Sequence, residues 1–499
     1  MSVSSILNAE DDGTATDGAY LGSMRDNAAP AYAGDYVESA SDQLEVPGTE
    51  GANHWRSPAQ IDTPAVASDN GAISSSLLSS RELELFSHYI THTSHVIPSD
   101  QADLFALHIG VPNLALTMPA VMGSVVALSA ACRCYDILKT ATPLDHVQEM
   151  RELLALADRH HQRSLGQLQE EISKSNFNAV LANAALMVLY ALSGHWVRVL
   201  LATKAKRAGR SIPSDVLPAQ SQWITSIRAA YVAHVGLQEH GMTPGPQTPS
   251  DDSTLTEAGE TLLLEGTASK HGNGRHLPED GPSDETRRLV LPIVSATYQP
   301  ALEKLRQRCE LAQQISAGTD SIRMDACLSS LELLENLYRK VLGNEELNRE
   351  TSSQSRGTLN HGYPWLARYI ARVTSAVPSK MSRRTTTSFL NRVPIEYLQL
   401  VQSALDCMPT EAELSGSNGN VPDIALTAAH KPAMDIFAHW LILVMLLDGV
   451  WWIGDIGSWE LARILRFTES RGWLAELSSD GSWWPQTMHA LKATLAGTK

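Results

Sequence analysis

Three histidines in the first strongly helical stretch have a spacing that could bind a metal ion. In Arg81–Ile97 apolar residues recur at helical intervals, and His88, His92 and His95 stand at i, i+4 and i+7. Imidazoles that meet on one face of a helix can bind zinc together. These histidines, however, project roughly opposite the Phe86–Ile90 apolar stripe, and no Glu follows His88 to make His-Glu-x-x-His. A solvated or interhelical polar face is therefore favoured, and no metal ligand is predicted.

The five cysteines favour neither a metal cluster nor a disulfide framework. They are scattered and odd in number, which fits a reducing compartment. Cys132 and Cys134 lie two residues apart on a predicted helix, where side chains diverge by roughly 200°, so they cannot chelate one ion together. They are predicted to be small core residues.

No catalytic constellation stands out in the sequence. There is no Gly-x-Ser-x-Gly, no Walker-type phosphate loop and no dinucleotide fingerprint after a strand. All-helical terpenoid enzymes hold magnesium with aspartates spaced along a helix, but Asp11-Asp12 and Asp251-Asp252 fall in segments predicted to be disordered. We therefore predict no enzyme activity, no catalytic residue and no bound cofactor. An all-α enzyme of unknown substrate is the least favoured alternative.

The segments that must position any site are predicted to be helical. No stretch alternates like a strand over more than four residues, which predicts an all-α, bundle-like fold of many helices. Breaks rich in Ser, Thr, Gly and Pro are expected at Thr351–Pro364 and Pro378–Ser388. The predicted helices after Arg81–Ile97 include Met118–Leu138, Leu144–Lys174, Phe177–Leu201, Thr286–Ile315 and Ser321–Leu342.

Two of these helices carry polar residues that need an explanation. His160-His161, in Leu144–Lys174, is predicted to lie on the surface. The mostly apolar run Phe177–Leu201 has four polar interruptions, which are expected to be satisfied by neighbouring backbone or, less often, to line a cavity. These four are Asn178, Asn183, His195 and Arg198.

The tryptophan-rich stretch Pro432–Phe467 is predicted to be the buried centre of the fold. From Ile436 to Trp452 only His439, Asp448 and Gly449 interrupt the apolar residues, so a helix there must be surrounded on all sides. Those seventeen residues rise roughly 25 Å as a helix, less than the ~30 Å hydrocarbon core of a bilayer. A core helix is favoured over a membrane span.

The chain is expected to turn after this helix. Gly454 and Gly457 are predicted to form the turn. Ser458 is expected to cap a second helix, with Glu460 near the positive end of its dipole.

The net charge of −16 is concentrated in two segments. Residues 1–70 carry −10 and residues 241–285 carry −7, which leaves +1 on the remaining chain. We predict a disordered acidic tail at 1–75 and a disordered insert at 241–285 within a helical domain spanning 76–499. A nearly neutral body offers no broad basic surface for phosphates, so DNA binding through this chain alone is not expected. Acidic disorder with scattered tyrosines is typical of activation segments, although a solubilising tail has the same composition.

Four blocks of sequence carry a resemblance to a known family. The most specific block is Ile436–Ile464 with its centre Asp448-Gly449-Val450-Trp451-Trp452-Ile453-Gly454. The others are Ser79–Ser94, Leu107–Leu116 running on to Ala130-Ala131-Cys132-Arg133-Cys134, and Val180–Ala184. The four blocks resemble the regulatory region of fungal-specific transcription factors of the Zn₂Cys₆ family. Their order is the one expected for that family, and together they span roughly residues 77–490.

The resemblance implies a nuclear regulator of transcription that is not an enzyme. Its expected partners are the transcription machinery or other regulatory proteins; a homodimer and a small-molecule ligand are further options, and no membrane association or secretion signal is expected. The family's zinc cluster needs six cysteines, whereas residues 1–131 contain none. The alternative is a DNA-binding factor whose zinc cluster is missing from the gene model, encoded upstream of Met1. Zinc is expected only in that case.

Overall fold

Helices are the only regular secondary structure in the described part of the chain. The computed structural model describes residues 78–174, 176–218, 221–240, 280–315, 320–343, 363–374, 382–408, 426–478 and 481–497. All of them belong to one compact unit. The predicted all-α fold is confirmed. The expected tail at 1–75 and residues 241–279 of the expected insert lie outside the described residues.

The helices are numbered here in chain order. The first half has α1 (Ser80–His88), α2 (Ser94–Val96), α3 (Gln101–Phe105), α4 (Val111–Thr117), α5 (Pro119–Leu138), α6 (Val147–Ser173), α7 (Phe177–Arg207) and α8 (Gln222–His240). The second half has α9 (Asp284–Leu289), α10 (Leu291–Ile315), α11 (Ser321–Leu342), α12 (Pro364–Val373), α13 (Ser382–Arg392), α14 (Ile395–Asp406), α15 (His430–Met445), α16 (Ile456–Ser470), α17 (Trp473–Leu477) and α18 (Trp484–Gly497).

The first helix begins at a complete capping box and is followed by a π-helical turn. The Ser79 hydroxyl accepts from the Glu82 amide, and the Glu82 carboxylate accepts from the Ser79 amide, so two amides at the helix start are satisfied. After α1 the chain continues through a π-helical turn, Tyr89–Thr93, into α2. Such turns are rare, and they occur frequently at functional sites.

Two long apolar helices form the centre of the first half. α5 packs against α6 and α7, and α7 packs against α8. Both α5 and α7 are long and apolar enough to cross a membrane, yet 83% of each apolar window is buried inside the protein. Cys132 and Cys134 on α5 are 1% and 0% exposed, as predicted for small core residues.

The two sequence halves share one hydrophobic core around Trp440 of α15. Its indole stacks on Trp223 of α8 at 6.1 Å, on Phe389 of α13 at 5.7 Å and on Phe437 at 5.3 Å. Its Nε1 donates to the Thr386 carbonyl at 3.0 Å, which satisfies the one polar group of the buried ring. The prediction that this stretch forms the buried centre is confirmed, since Trp440 is 1% exposed.

The extent of this helix was predicted wrongly. α15 ends at Met445 instead of reaching Trp452. The Asp448 carboxylate accepts from the Ser283 amide at 2.9 Å and from the Thr286 hydroxyl at 2.6 Å. The chain turns here because Asp448 satisfies donors at the start of α9. That helix begins at Asp284, two residues before the predicted start at Thr286 and inside the expected insert.

The two glycines after α15 have different roles. Gly454 has φ +50°, and it lies in the turn as predicted. Gly457 lies inside α16, where a Cβ atom would come within 2.8 Å of the Met445 Cα. The prediction that Ser458 caps this helix is also wrong, because α16 begins at Ile456 with Asp455 in the N-cap position.

Gly457→Ala is expected to lower the free energy of unfolding by about 1–3 kcal/mol. The added methyl group would meet the backbone of Met445, which cannot rotate away, so α15 and α16 must separate. Urea denaturation of the two proteins measures the change. Gly166→Ala is the matched control, since nothing lies within 4 Å of its added Cβ. It should stabilise the protein by about 0.5–1 kcal/mol. Equal effects of both substitutions would contradict the close-packing role of Gly457.

Candidate functional site

An open cavity of about 550 Å³ lies between α6, α7 and α8. This volume is in the range of sites that bind small molecules. Its lining combines apolar side chains such as Leu165 and Met187 with several polar ones. The polar residues of the lining include Asp158, His161, Tyr190, His195, Arg198 and Trp223.

Asp158 of α6 accepts hydrogen bonds from two other residues of the cavity wall. Its Oδ1 accepts from the Tyr190 hydroxyl at 2.6 Å, and its Oδ2 accepts from the Arg198 guanidinium at 2.7 Å. Arg198 also donates to the Gly194 carbonyl at 3.1 Å, which fixes its planar group. Burial raises the pKa of Tyr190, so its hydroxyl stays protonated and remains a donor.

His161 places a buried imidazole in the same wall. The residue is 9% exposed, and its ring centroid lies 4.9 Å from that of Tyr190. Among the described residues, no side chain or backbone group hydrogen-bonds to its Nδ1. Burial lowers the pKa of His161 to about 4, against the opposing charge of Asp158, so the ring is neutral at pH 7. His161 Nδ1 is therefore a buried polar atom in the cavity wall without a partner among the described residues.

The prediction that His160 and His161 lie on the surface is wrong. His160 is 7% exposed, and its Nε2 lies 2.8 Å from the Glu82 carboxylate of α1. The two adjacent residues can both be buried because α6 packs against α5 on one side and α7 on another, while Glu82 of α1 reaches His160. An amphipathic pattern does not show how many neighbours a helix has.

Behind the cavity lies a buried network centred on Glu460 of α16. The Glu460 side chain is 0% exposed. Its Oε1 accepts from His195 Nε2 at 3.1 Å and from Trp223 Nε1 at 3.2 Å, and its Oε2 accepts from Arg463 at 2.9 Å. Burial lowers the pKa of His195, although Glu460 opposes this effect. A neutral His195 therefore donates its Nε2 proton, since an ionised carboxylate can only accept.

The four polar interruptions of α7 divide into two pairs. Asn183 Oδ1 accepts from the Ser124 hydroxyl at 2.8 Å, and Asn178 Oδ1 accepts from the Tyr363 amide at 2.9 Å. His195 and Arg198 instead line the cavity, which was the less favoured of the two expectations. Sequence reasoning missed Asp158, Tyr190 and Trp223, since nothing in their local pattern differs from that of ordinary helical residues. Glu460 was noticed only for its place near a helix start.

The three histidines of the first helical stretch do not meet at one point. His95 packs against His108 with ring centroids 4.1 Å apart. His88 and His92 both face Asp136 of α5, so they lie on an interhelical polar face, as expected.

No family model, no curated protein and no solved structure matches this chain. The resemblance to fungal-specific transcription factors therefore stays a prediction from the sequence blocks.

Proposed function

We propose that this chain is the helical regulatory part of a fungal-type transcription factor and that a small molecule in the α6–α7–α8 cavity sets its activity. It acts in the nucleus through contacts with the transcription machinery or other regulatory proteins. It is not an enzyme, and it does not contact DNA by itself. The helical fold, the sequence blocks and the cavity together support this role.

The observation that carries the proposal is the connection between the cavity and α16. His195 and Trp223 line the cavity, and both donate to the same oxygen of Glu460. A ligand that displaces either ring must therefore strain or break a buried hydrogen bond to the other half of the chain. A ligand shifts a protein between two states only if it interacts with those states differently, and a broken hydrogen bond to Glu460 would supply such a difference.

The sequence supplies the transcriptional part of the proposal. The Ile436–Ile464 block, the most specific part of the resemblance, contains the whole of the turn around Asp448 and most of α16. It therefore includes Glu460, the acceptor behind the cavity. The segment at 1–70, with its charge of −10, is suited by composition to recruit other proteins.

Filling the cavity is expected to change transcription. The full chain is fused to a heterologous DNA-binding domain and expressed in a fungal strain with a matching reporter gene. The fusion should change reporter output relative to the DNA-binding domain alone. Ala191→Phe adds a ring to the cavity lining, and we expect it to alter that output by about fivefold or more, the lower end of typical allosteric couplings.

Ala155→Phe is the control for this experiment. Ala155 is an exposed residue of α6 that does not line the cavity. Its replacement should leave the reporter unchanged, and immunoblots should show equal amounts of both fusions. A wild-type fusion that reaches the nucleus without affecting the reporter would refute the transcriptional role. Equal output from the two variants would refute the role of the cavity.

A further inference from the structure

We propose that His88, His92 and Asp136 bind one divalent zinc ion between α1 and α5. The site departs from the expectation that this chain binds no cofactor. It takes one imidazole from the end of α1, one from the π-helical turn and one carboxylate from the helix packed against them. Two imidazoles and a carboxylate are a common protein ligand set for zinc.

Two of the three separations between ligand atoms match a tetrahedral zinc site. His88 Nε2 and His92 Nε2 each lie 3.3 Å from Asp136 Oδ2. One ligand atom from each of the three residues lies within 4.8 Å of the others. Zinc–ligand bonds of ~2.0–2.1 Å at tetrahedral angles separate neighbouring ligand atoms by about 3.3–3.4 Å. Charge-assisted hydrogen bonds between the same groups are shorter, about 2.7–2.9 Å.

The hydrogen bonds behind His88 suit the tautomer that zinc requires. The Ser129 hydroxyl donates its only proton to the Leu85 carbonyl at 2.7 Å. At 3.1 Å from His88 Nδ1 it can therefore accept a hydrogen bond from a protonated Nδ1. A neutral ring protonated there has its lone pair on Nε2, which faces the Asp136 carboxylate. Two acceptor groups facing each other are stabilised by a cation between them.

Ser129 has the position of an outer-shell partner that orients a metal-binding histidine. It is fully buried, and Thr93 Oγ1 lies 3.1 Å from the same His88 nitrogen. The ligands themselves are more open: the side chains of His88, Asp136 and His92 are 16%, 33% and 43% exposed. An ion can therefore enter from solvent, while Ser129 and Thr93 orient the ring of His88 from the buried side.

Zinc titration of the full chain tests the site. The protein carries no polyhistidine tag and is treated with a chelator, and binding of Zn²⁺ alone is followed by calorimetry. We expect one site that His92→Gln or Asp136→Asn weakens by about 100-fold or more, because each removes a ligand. Ser129→Ala should weaken it by about 10–100-fold, since it removes only the orienting partner. Co²⁺ in the same site should give the visible absorption of a tetrahedral complex.

His146→Gln is the matched control. His146 forms an exposed pair with Glu149 at 3.4 Å, so it has similar chemistry without a third ligand. Its zinc affinity should equal that of the wild type, and circular dichroism should show that all variants are folded. Absence of binding by the wild type, or equal loss in His92→Gln and His146→Gln, would overturn the proposal. The measurement reads binding alone, so its outcome is independent of the transcriptional role.

Discussion

Asp435→Ala is expected to lower the free energy of unfolding by about 3–5 kcal/mol, the usual loss when one member of a buried charge pair is removed. The Asp435 side chain is 2% exposed. Its Oδ2 accepts from Arg308 Nε at 2.8 Å, and its Oδ1 accepts from Trp483 Nε1 at 2.8 Å and lies 3.2 Å from His439 Nδ1. Truncation leaves the indole donor without its acceptor and the guanidinium without its counter-ion.

The pH dependence of unfolding provides an independent check of this ion pair. Burial opposes ionisation of Asp435, but the hydrogen bond and charge of His439 and the charge of Arg308 outweigh it and lower the pKa to about 2. A carboxylate with a depressed folded-state pKa stabilises the fold above its unfolded value of about 4. That contribution, about 2.5 kcal/mol, should disappear as the pH falls from about 4 to about 2. Asp435→Asn should lack this part of the acid sensitivity.

Asp145→Ala provides the comparison for both measurements. Asp145 pairs with Arg210 at 3.3 Å, but the two side chains are 64% and 54% exposed. Removing it should change the free energy of unfolding by less than about 1 kcal/mol. If Asp435→Ala were no more destabilising than Asp145→Ala, the buried network would not hold α10, α15 and the start of α18 together.

Asp103→Ala should have an effect of similar size, about 3–5 kcal/mol. The Asp103 side chain is 3% exposed and contacts three guanidinium groups. Oδ1 accepts from Arg372 at 3.0 Å, while Oδ2 accepts from Arg383 at 3.1 Å and from Arg384. The side chains of Arg383 and Arg384 are 7% and 5% exposed, so the loss of the shared carboxylate crowds positive charge in a poorly solvated region. The carboxylates that remain near them are Asp280, 2.8 Å from Arg383, and Asp100, 3.9 Å from Arg384.

Urea denaturation of Asp103→Ala measures this effect, with Asp325→Ala as the control. Asp325 is an exposed residue of α11 whose carboxylate accepts from Gln313 at 3.0 Å. The N-cap of α3 is unaffected by the first substitution, because it uses the Asp100 carboxylate and the Asp103 amide. A loss below about 1 kcal/mol for Asp103→Ala would show that the arginines find other counter-ions.

Arg383 and Arg384 also mark where sequence reasoning failed. Pro378–Ser388 was predicted as one of two breaks rich in Ser, Thr, Gly and Pro, whereas α13 runs from Ser382 to Arg392. Two arginines and Thr386 of this helix are buried. The guanidinium groups of both arginines contact Asp103, and the Thr386 carbonyl accepts from Trp440. Neither partner is near them in the sequence. A composition rule assumes that polar residues face water, and here tertiary contacts override it.

The sequence by itself determined the all-α class, the approximate bounds of the long helices and the burial of the tryptophan-rich stretch. These features follow from local periodicity, capping residues and prolines, which act within a few residues of each other. Only the tertiary structure decided which polar and charged side chains meet: Glu460 with His195, Asp435 with Arg308, Asp103 with Arg384 and Asp136 with His88. Each pair joins residues from different helices, and its strength depends on distance and desolvation, neither of which leaves a local pattern in the chain.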